Sequence, residues 1–276
     1  MQERVKLARV RVWRHLGPMN EAIVALVRRH DPDRFLTALF APAEKRDALL
    51  TLYAFNHELA RAREVVSEPK LALIRLQWWR EVVEGATRRH EVAEPLSAAI
   101  AAGELHCGDL LAMIDAREIE VEPWIPTLAD WRDYLLSGAG GLAVAAGRLL
   151  GAGDPGVLRP LGAAYGVAGI LRSAPALARQ GRCLLPEDIL AEHGLSPEAV
   201  IATPSAPAVH AVMRQLSEVG KEFLAQGPSS IPRHAIAAAL PAVLARRDLR
   251  RCPFFSAERG FGDRMAVALA GLARRI

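Results

Sequence analysis

Two stretches of this chain concentrate side chains able to do chemistry. Residues 53–80 read YAFNHELARAREVVSEPKLALIRLQWWR and bring Asn56, His57, Glu58, Arg61, Arg63 and Glu64 into one short run. Residues 166–190 read GVAGILRSAPALARQGRCLLPEDIL and carry Arg172, Arg179, Arg182 and Asp188. Carboxylate oxygens can seat hard divalent cations, and guanidinium groups suit fixed contacts with carboxylate or phosphate. Glu58 and Glu64 stand six positions apart, which is not the i, i+4 spacing that puts two acids on one helical face.

Other chemistries find no support. The chain has no GxGxxG, Walker, HExxH or nucleophile-elbow pattern. Its eight histidines are dispersed, and Cys107, Cys183 and Cys252 are far apart with no CxxC pair, which argues against a zinc site or disulfide framework and for a reducing compartment. The formal net charge is +4, a mild basicity spread along the sequence and unlike the clustered footprint of a nucleic-acid binder. Four of the 35 basic residues are lysine, which leaves 31 arginines. With 51% hydrophobic and 24% charged residues, 276 positions suffice for a sizeable core. The uncharged run from Tyr134 to Gly147 holds four glycines and ends at Arg148, too short to span a bilayer. A soluble, cytoplasmic protein is expected, with peripheral contact at the inner membrane face left open. The Arg-rich residues 1–18 lack the apolar core of a signal peptide and read as an extension or a first helix ahead of one domain at 19–276.

Helical periodicity must position these side chains. Phe35, Leu36, Leu39 and Phe40 mark an amphipathic stripe that Pro42 ends. Helices are expected over about 43–66, over 70–84 opened by Pro69, near 95–102 and 105–117, and then over 127–150 and 156–178. GRCLLPEDIL reads as a loop entering a short helix at Pro186, and further helices are expected over 206–226, 230–247 and 262–275. The stretch 196–207 reads as a connection. Strand-like alternation is nearly absent, so the architecture is all-α. Gly138, Gly140, Gly141 and Gly147 fall inside one expected helix, where close helix packing or room for a ligand would justify their cost. One of the adjacent Trp78 and Trp79 is expected in the core.

The order of Tyr53-Ala54-Phe55, Arg75-Leu76-Gln77-Trp78-Trp79-Arg80, Ile170-Leu171-Arg172, Gly181-Arg182 and Leu185-Pro186 resembles the squalene/phytoene synthase family of head-to-head prenyl transferases, over about residues 30–250. The resemblance implies a single-domain, isoprenoid-synthase-like helical bundle around a central cavity. It also implies two DxxxD motifs facing each other across that cavity, whose acids hold Mg²⁺ ions that bind and ionise a substrate diphosphate.

At those positions the chain departs from the pattern. The first motif falls on Ala60–Glu64, ARARE, and the second on Ser173–Leu177, SAPAL. Ala60, Ser173 and Leu177 replace three of four acids, Glu64 remains, and Pro175 interrupts the second motif. No catalytic residue, metal site or cofactor is therefore expected. The strings AFNHELARAREVVSE and GILRSAPALARQGRCLLPEDILAEHGLS resemble a non-catalytic branch of the family, typified by a mitochondrial respiratory complex I assembly factor, and the absent presequence features suggest a bacterial relative. The expectation is a pseudoenzyme that binds or assembles, with complex I subunits or assembly intermediates as partners.

Two alternatives stand beside it. One is a divergent Mg²⁺-dependent prenyl transferase built on Glu58, Glu64 and Asp188; the other is an isoprenoid or lipid carrier. Asn56, His57, Glu58, Arg61, Arg172 and Arg182 are the candidate cavity or anion-binding residues, since guanidinium could replace Mg²⁺ toward an anionic headgroup or phosphate. The plainer expectation is that most of these arginines face solvent or pair with acids elsewhere, and that Asn56 and His57 make polar contacts between helices.

Overall fold

The computed structural model describes residues 20–64, 69–228, 230–255, 259–273 and 276. Residues 1–18, expected as an extension, lie outside the described residues.

The chain opens with α1 (Glu21–His30) and α2 (Pro32–Ala38). Asn20 caps the first by accepting from the Ala22 and Ile23 amides, and Asp31 caps the second by accepting from Arg34 N, so each short helix begins with its free N–H groups satisfied. Then follow α3 (Ala43–Glu64), α4 (Pro69–Val83), α5 (Ala93–Ala101) and α6 (Cys107–Asp115), with a 3₁₀ turn at Glu118–Val121. Next come α7 (Leu128–Ser137), α8 (Ala139–Leu149), a 3₁₀ turn at Pro155–Leu158 and α9 (Arg159–Arg179). The remainder comprises α10 (Glu187–Glu192), α11 (Pro197–Ala202), α12 (Pro207–Ala225), a 3₁₀ turn at Arg233–Ala235, α13 (Ile236–Ala239), α14 (Pro241–Arg251) and α15 (Phe261–Ala273). The described residues contain no strand.

The helix α9 is the axis around which the others pack, touching α7, α8, α12 and α14. Its glycines allow that closeness. A Cβ on Gly162 would meet Ala139 O and would lie 2.6 Å from Ala143 Cβ, and one on Gly166 would lie 2.8 Å from Ala139 Cβ. On α12, a Cβ on Gly220 would lie 2.7 Å from Leu249 of α14. These backbones meet because side chains are missing there. The core is one contiguous cluster that includes Trp79, Trp131, Tyr53 and Phe55; Trp79 is buried, and Trp78 is half-buried against it.

Three expected boundaries differ. The run 127–150 is two helices, broken at Gly138, whose ψ of −84° leaves the helical path. Of its glycines, Gly140 and Gly147 serve tight packing, against Arg159 and Leu158, while a Cβ on Gly138 would lie 2.9 Å from Tyr134 O. The run 230–247 is a 3₁₀ turn and two helices, divided where Pro241 opens α14. The connection 196–207 contains α11, whose start Ser196 caps by accepting from Ala199 N. Pro175 does not end α9, which continues to Arg179; lacking an N–H, Pro175 leaves the Leu171 carbonyl without its helical donor.

Candidate functional site

Helices α3, α7 and α9 enclose a cavity of about 230 Å³ with the 3₁₀ turn at Glu118–Val121. Ala60 from α3 and Ser173 and Leu177 from α9 all line it. The fold thus brings together three of the four residues that the family resemblance aligns with metal-holding acids. Glu64 ends α3, and its side chain lies outside the described residues. Ser173 Oγ donates to Ile170 O at 3.2 Å, turning its hydroxyl onto its own helix. Among the described residues, no three His, Cys, Asp or Glu side chains are grouped to hold a metal.

A charge network occupies the cavity wall instead. Glu120 is buried, and one of its oxygens accepts from Arg182 Nη2 at 2.6 Å. The other accepts from Arg117 Nη1 at 2.6 Å and from Tyr134 Oη at 2.7 Å. Arg117 also donates to Asn56 Oδ1 at 3.3 Å, tying α3 to the network. Burial alone would raise the Glu120 carboxyl, but Arg117 and Arg182 outweigh it and hold the group below its ordinary value. Glu120 thus ties two guanidinium groups from separate parts of the chain to one buried carboxylate in the cavity wall.

Arg34 closes the inner end of this cavity. Its guanidinium lies 4.7 Å from the Tyr165 ring centroid and 5.8 Å from that of Tyr53, and its Nη1 donates to Asp31 at 2.8 Å. Behind it, between Leu142, Ala143, Leu161 and Ala242, only about 10 Å³ remains, room for roughly one water. A prenyl chain has no open path behind Arg34, and on its open side the cavity shares Arg34, Tyr165, Gly169 and Ser173 with a larger outer groove.

The candidate residues separate into three groups. Asn56 and Arg182 line the cavity with Ala60, Ser173 and Leu177. Arg172 does not; it faces a larger outer groove of about 1,220 Å³, where it stands 3.6 Å from Asp33 and 3.8 Å from Asp248. His57, Glu58 and Arg61 line neither space. Glu58 is buried and accepts from Arg61 Nη1 at 3.0 Å, so the proximity of Arg61 to the first motif answers a neighbouring acid rather than a ligand. His57 stacks on His30 at 4.4 Å between ring centroids.

Of the acids proposed for an alternative metal set, Asp188 Oδ2 accepts from Leu128 N at 2.9 Å at the start of α7, while Glu58 pairs with Arg61. The thiols are free, and burial pushes those of Cys183 and Cys252 up to about 11, protonated at neutral pH.

Sequence reasoning missed Glu120, Arg117, Tyr134 and Arg34. Arg117 and Glu120 are an i, i+3 pair and so were detectable locally. Nothing in the spacing says that Arg182, 62 positions away, completes it.

The family model described as squalene/phytoene synthase matches residues 27–253. NADH dehydrogenase (ubiquinone) complex I, assembly factor 6, of Mus musculus is 28% identical over 229 residues, covering 79% of this chain and 69% of that protein. The Homo sapiens protein of the same name is 29% identical over 181 residues, covering 63% of this chain; the chain spans about half, 54%, of that relative. Among solved structures, a dehydrosqualene synthase in complex with ligand superposes with a TM-score of 0.75 at 14% identity, covering 95% of this chain and 98% of that one. Squalene synthase HpnC from Alicyclobacillus acidocaldarius gives a TM-score of 0.64 at 20% identity, covering 84% and 91%. At such identities the structural likeness speaks for the fold: an isoprenoid-synthase-like helical bundle.

Proposed function

This chain belongs to the squalene/phytoene synthase family, and we propose that within it the protein is a non-catalytic binding factor that acts in the assembly of respiratory complex I. One observation carries the reading: Ala60, Ser173 and Leu177 line a single cavity whose polar wall is the Glu120, Arg117 and Arg182 network. Diphosphate departure from a prenyl substrate needs concentrated positive charge on the leaving group, which the fold family supplies through carboxylate-held Mg²⁺. Here the residues present do not fit the metal. Three of the four seats offer no oxygen anion, and the guanidinium groups beside them are neutralised in part by a carboxylate of the same wall. Such a network fixes geometry and offers a metal ion no free carboxylate.

The assembly role is supported by the relatives named complex I assembly factor 6, which are 28% and 29% identical to this chain. Its test is genetic and biochemical. Tagged protein isolated from its native cell should recover NADH dehydrogenase subunits, and deletion should lower the level of assembled complex I. Unchanged complex I after deletion would refute the role.

A further inference from the structure

The last helix, α15, is apolar nearly all the way round, yet it lies on the outside of the bundle. Its inner face packs on α14 and α2: Val267 is buried, and Gly271 meets the Phe40 ring. Its outer face carries Phe261, Met265, Leu269 and Leu272 at i, i+4, i+8 and i+11, one continuous helical stripe. Phe261 is 80% exposed, Leu269 59% and Leu272 74%, and Phe254, just ahead of the helix, is 74% exposed. A helix hydrophobic on every side is ordinarily covered on every side, and large contiguous exposed apolar patches mark interaction sites.

Among the described residues, the exposed charges that α15 and the end of α14 set beside this ridge are arginines. The only acid on α15, Asp263, is buried and held by Arg247 and Arg251. Arg250 and Arg264 are exposed and have no acidic partner among the described residues. Arg264 also lines the outer groove, as does Phe255, the neighbour of Phe254. Six arginines and two aspartates line that groove. Both aspartates are already engaged, Asp31 by Arg34 and Asp33 by Arg259, whereas Arg28 and Arg179 pair with no acid among the described residues. The sequence continues beyond the helix with Arg274 and Arg275.

From this juxtaposition we propose that the α15 ridge and the adjoining arginine groove dock on an anionic lipid bilayer, the apolar stripe entering the interface and the groove meeting the headgroups. The occupant follows from the two chemistries side by side. A bilayer surface offers an apolar phase to a protruding ridge and, next to it, a layer of negative charge to the arginines. The inference is independent of whether the protein assembles complex I, and its test reads membrane partition alone.

The full-length protein is sedimented with phosphatidylcholine vesicles with and without phosphatidylglycerol. Partition should require the anionic lipid and weaken as salt is raised. The double variant Leu269→Ser/Leu272→Ser should bind at least about tenfold more weakly, since each removed side chain contributes apolar burial of that order, and its melting temperature should match the parent because both positions face outward. Arg264→Glu should reduce partition without changing the fold. Absent partition, or partition unaffected by these variants, overturns the proposal. So does a dimer in solution that the double variant converts to monomer, which would give the ridge to a second copy of the chain. Partition that vanishes entirely when residues 2–18 are deleted would likewise take the docking function away from α15.

Discussion

Arg182 Nη2 lies 2.6 Å from Glu120 Oε2, in the wall of the same cavity that Ser173 and Leu177 line. Where the fold family concentrates negative charge to hold metal ions, this chain buries a salt bridge. The pair is a structural device, and its removal should read out in stability.

Glu120→Gln keeps the size of the side chain and removes the buried carboxylate that Arg117 and Arg182 share. Breaking a buried pair from one side in this way costs about 3 kcal/mol or more. Arg182→Met should cost less, because Glu120 would still face Arg117 and Tyr134. Urea unfolding followed by circular dichroism checks the order of the two variants.

Acid should weaken the fold in two stages. Burial and the neighbouring His30 hold His57 below its ordinary 6.5, so the unfolded chain takes up the proton first and stability falls as pH drops through that value. His57→Phe, which can still stack on His30, should flatten this first stage. Glu120 is also depressed, from 4.5, so its contribution is present above that value and is lost below it. A denaturation series from neutral pH to well below 4.5 separates the stages.

Two glycines of α9 should respond oppositely to alanine. A Cβ at Gly162 would strike Ala139 O and lie 2.6 Å from Ala143 Cβ; overpacking of this kind costs about 1–3 kcal/mol. A Cβ at Gly169 would meet nothing within 4 Å, since that residue borders the cavity and the groove. Gly169→Ala should stabilise by up to about 1 kcal/mol through helix propensity. Thermal melts of both variants decide this.

Arg259 joins two buried acids, donating to Asp33 Oδ2 at 2.9 Å and to Asp248 Oδ1 at 2.6 Å. Arg259→Gln should leave both carboxylates short of charge and cost about 3 kcal/mol. The loss should shrink when Asp248→Asn is added, because one orphaned charge is then removed; a double-mutant cycle measures it.

The helical framework was largely legible in the sequence because each main helix carries local signals: Pro69 opening α4, Pro186 before α10, Pro42 between α2 and α3. The breaks at Gly138 and Pro241 were not, since helical periodicity continues across both and the backbone departs only under tertiary packing. Ala60, Ser173 and Leu177 are picked out by short strings with fixed spacing, and the fold gathers all three on one cavity. The charge network beside them was hidden. Glu120 and Arg34 meet the motif helices only through the fold, at long sequence separation, and an arginine-rich composition hides the few arginines that matter among the many that do not. Arg61 illustrates the reverse error: it sits in the motif by sequence but spends its charge on Glu58.

Diphosphate release by the purified full-length chain, incubated with farnesyl diphosphate and Mg²⁺, tests the central claim most directly. The loss of acids at Ala60, Ser173 and Leu177 predicts no release above the protein-free control. Sustained release that a chelator abolishes would contradict it.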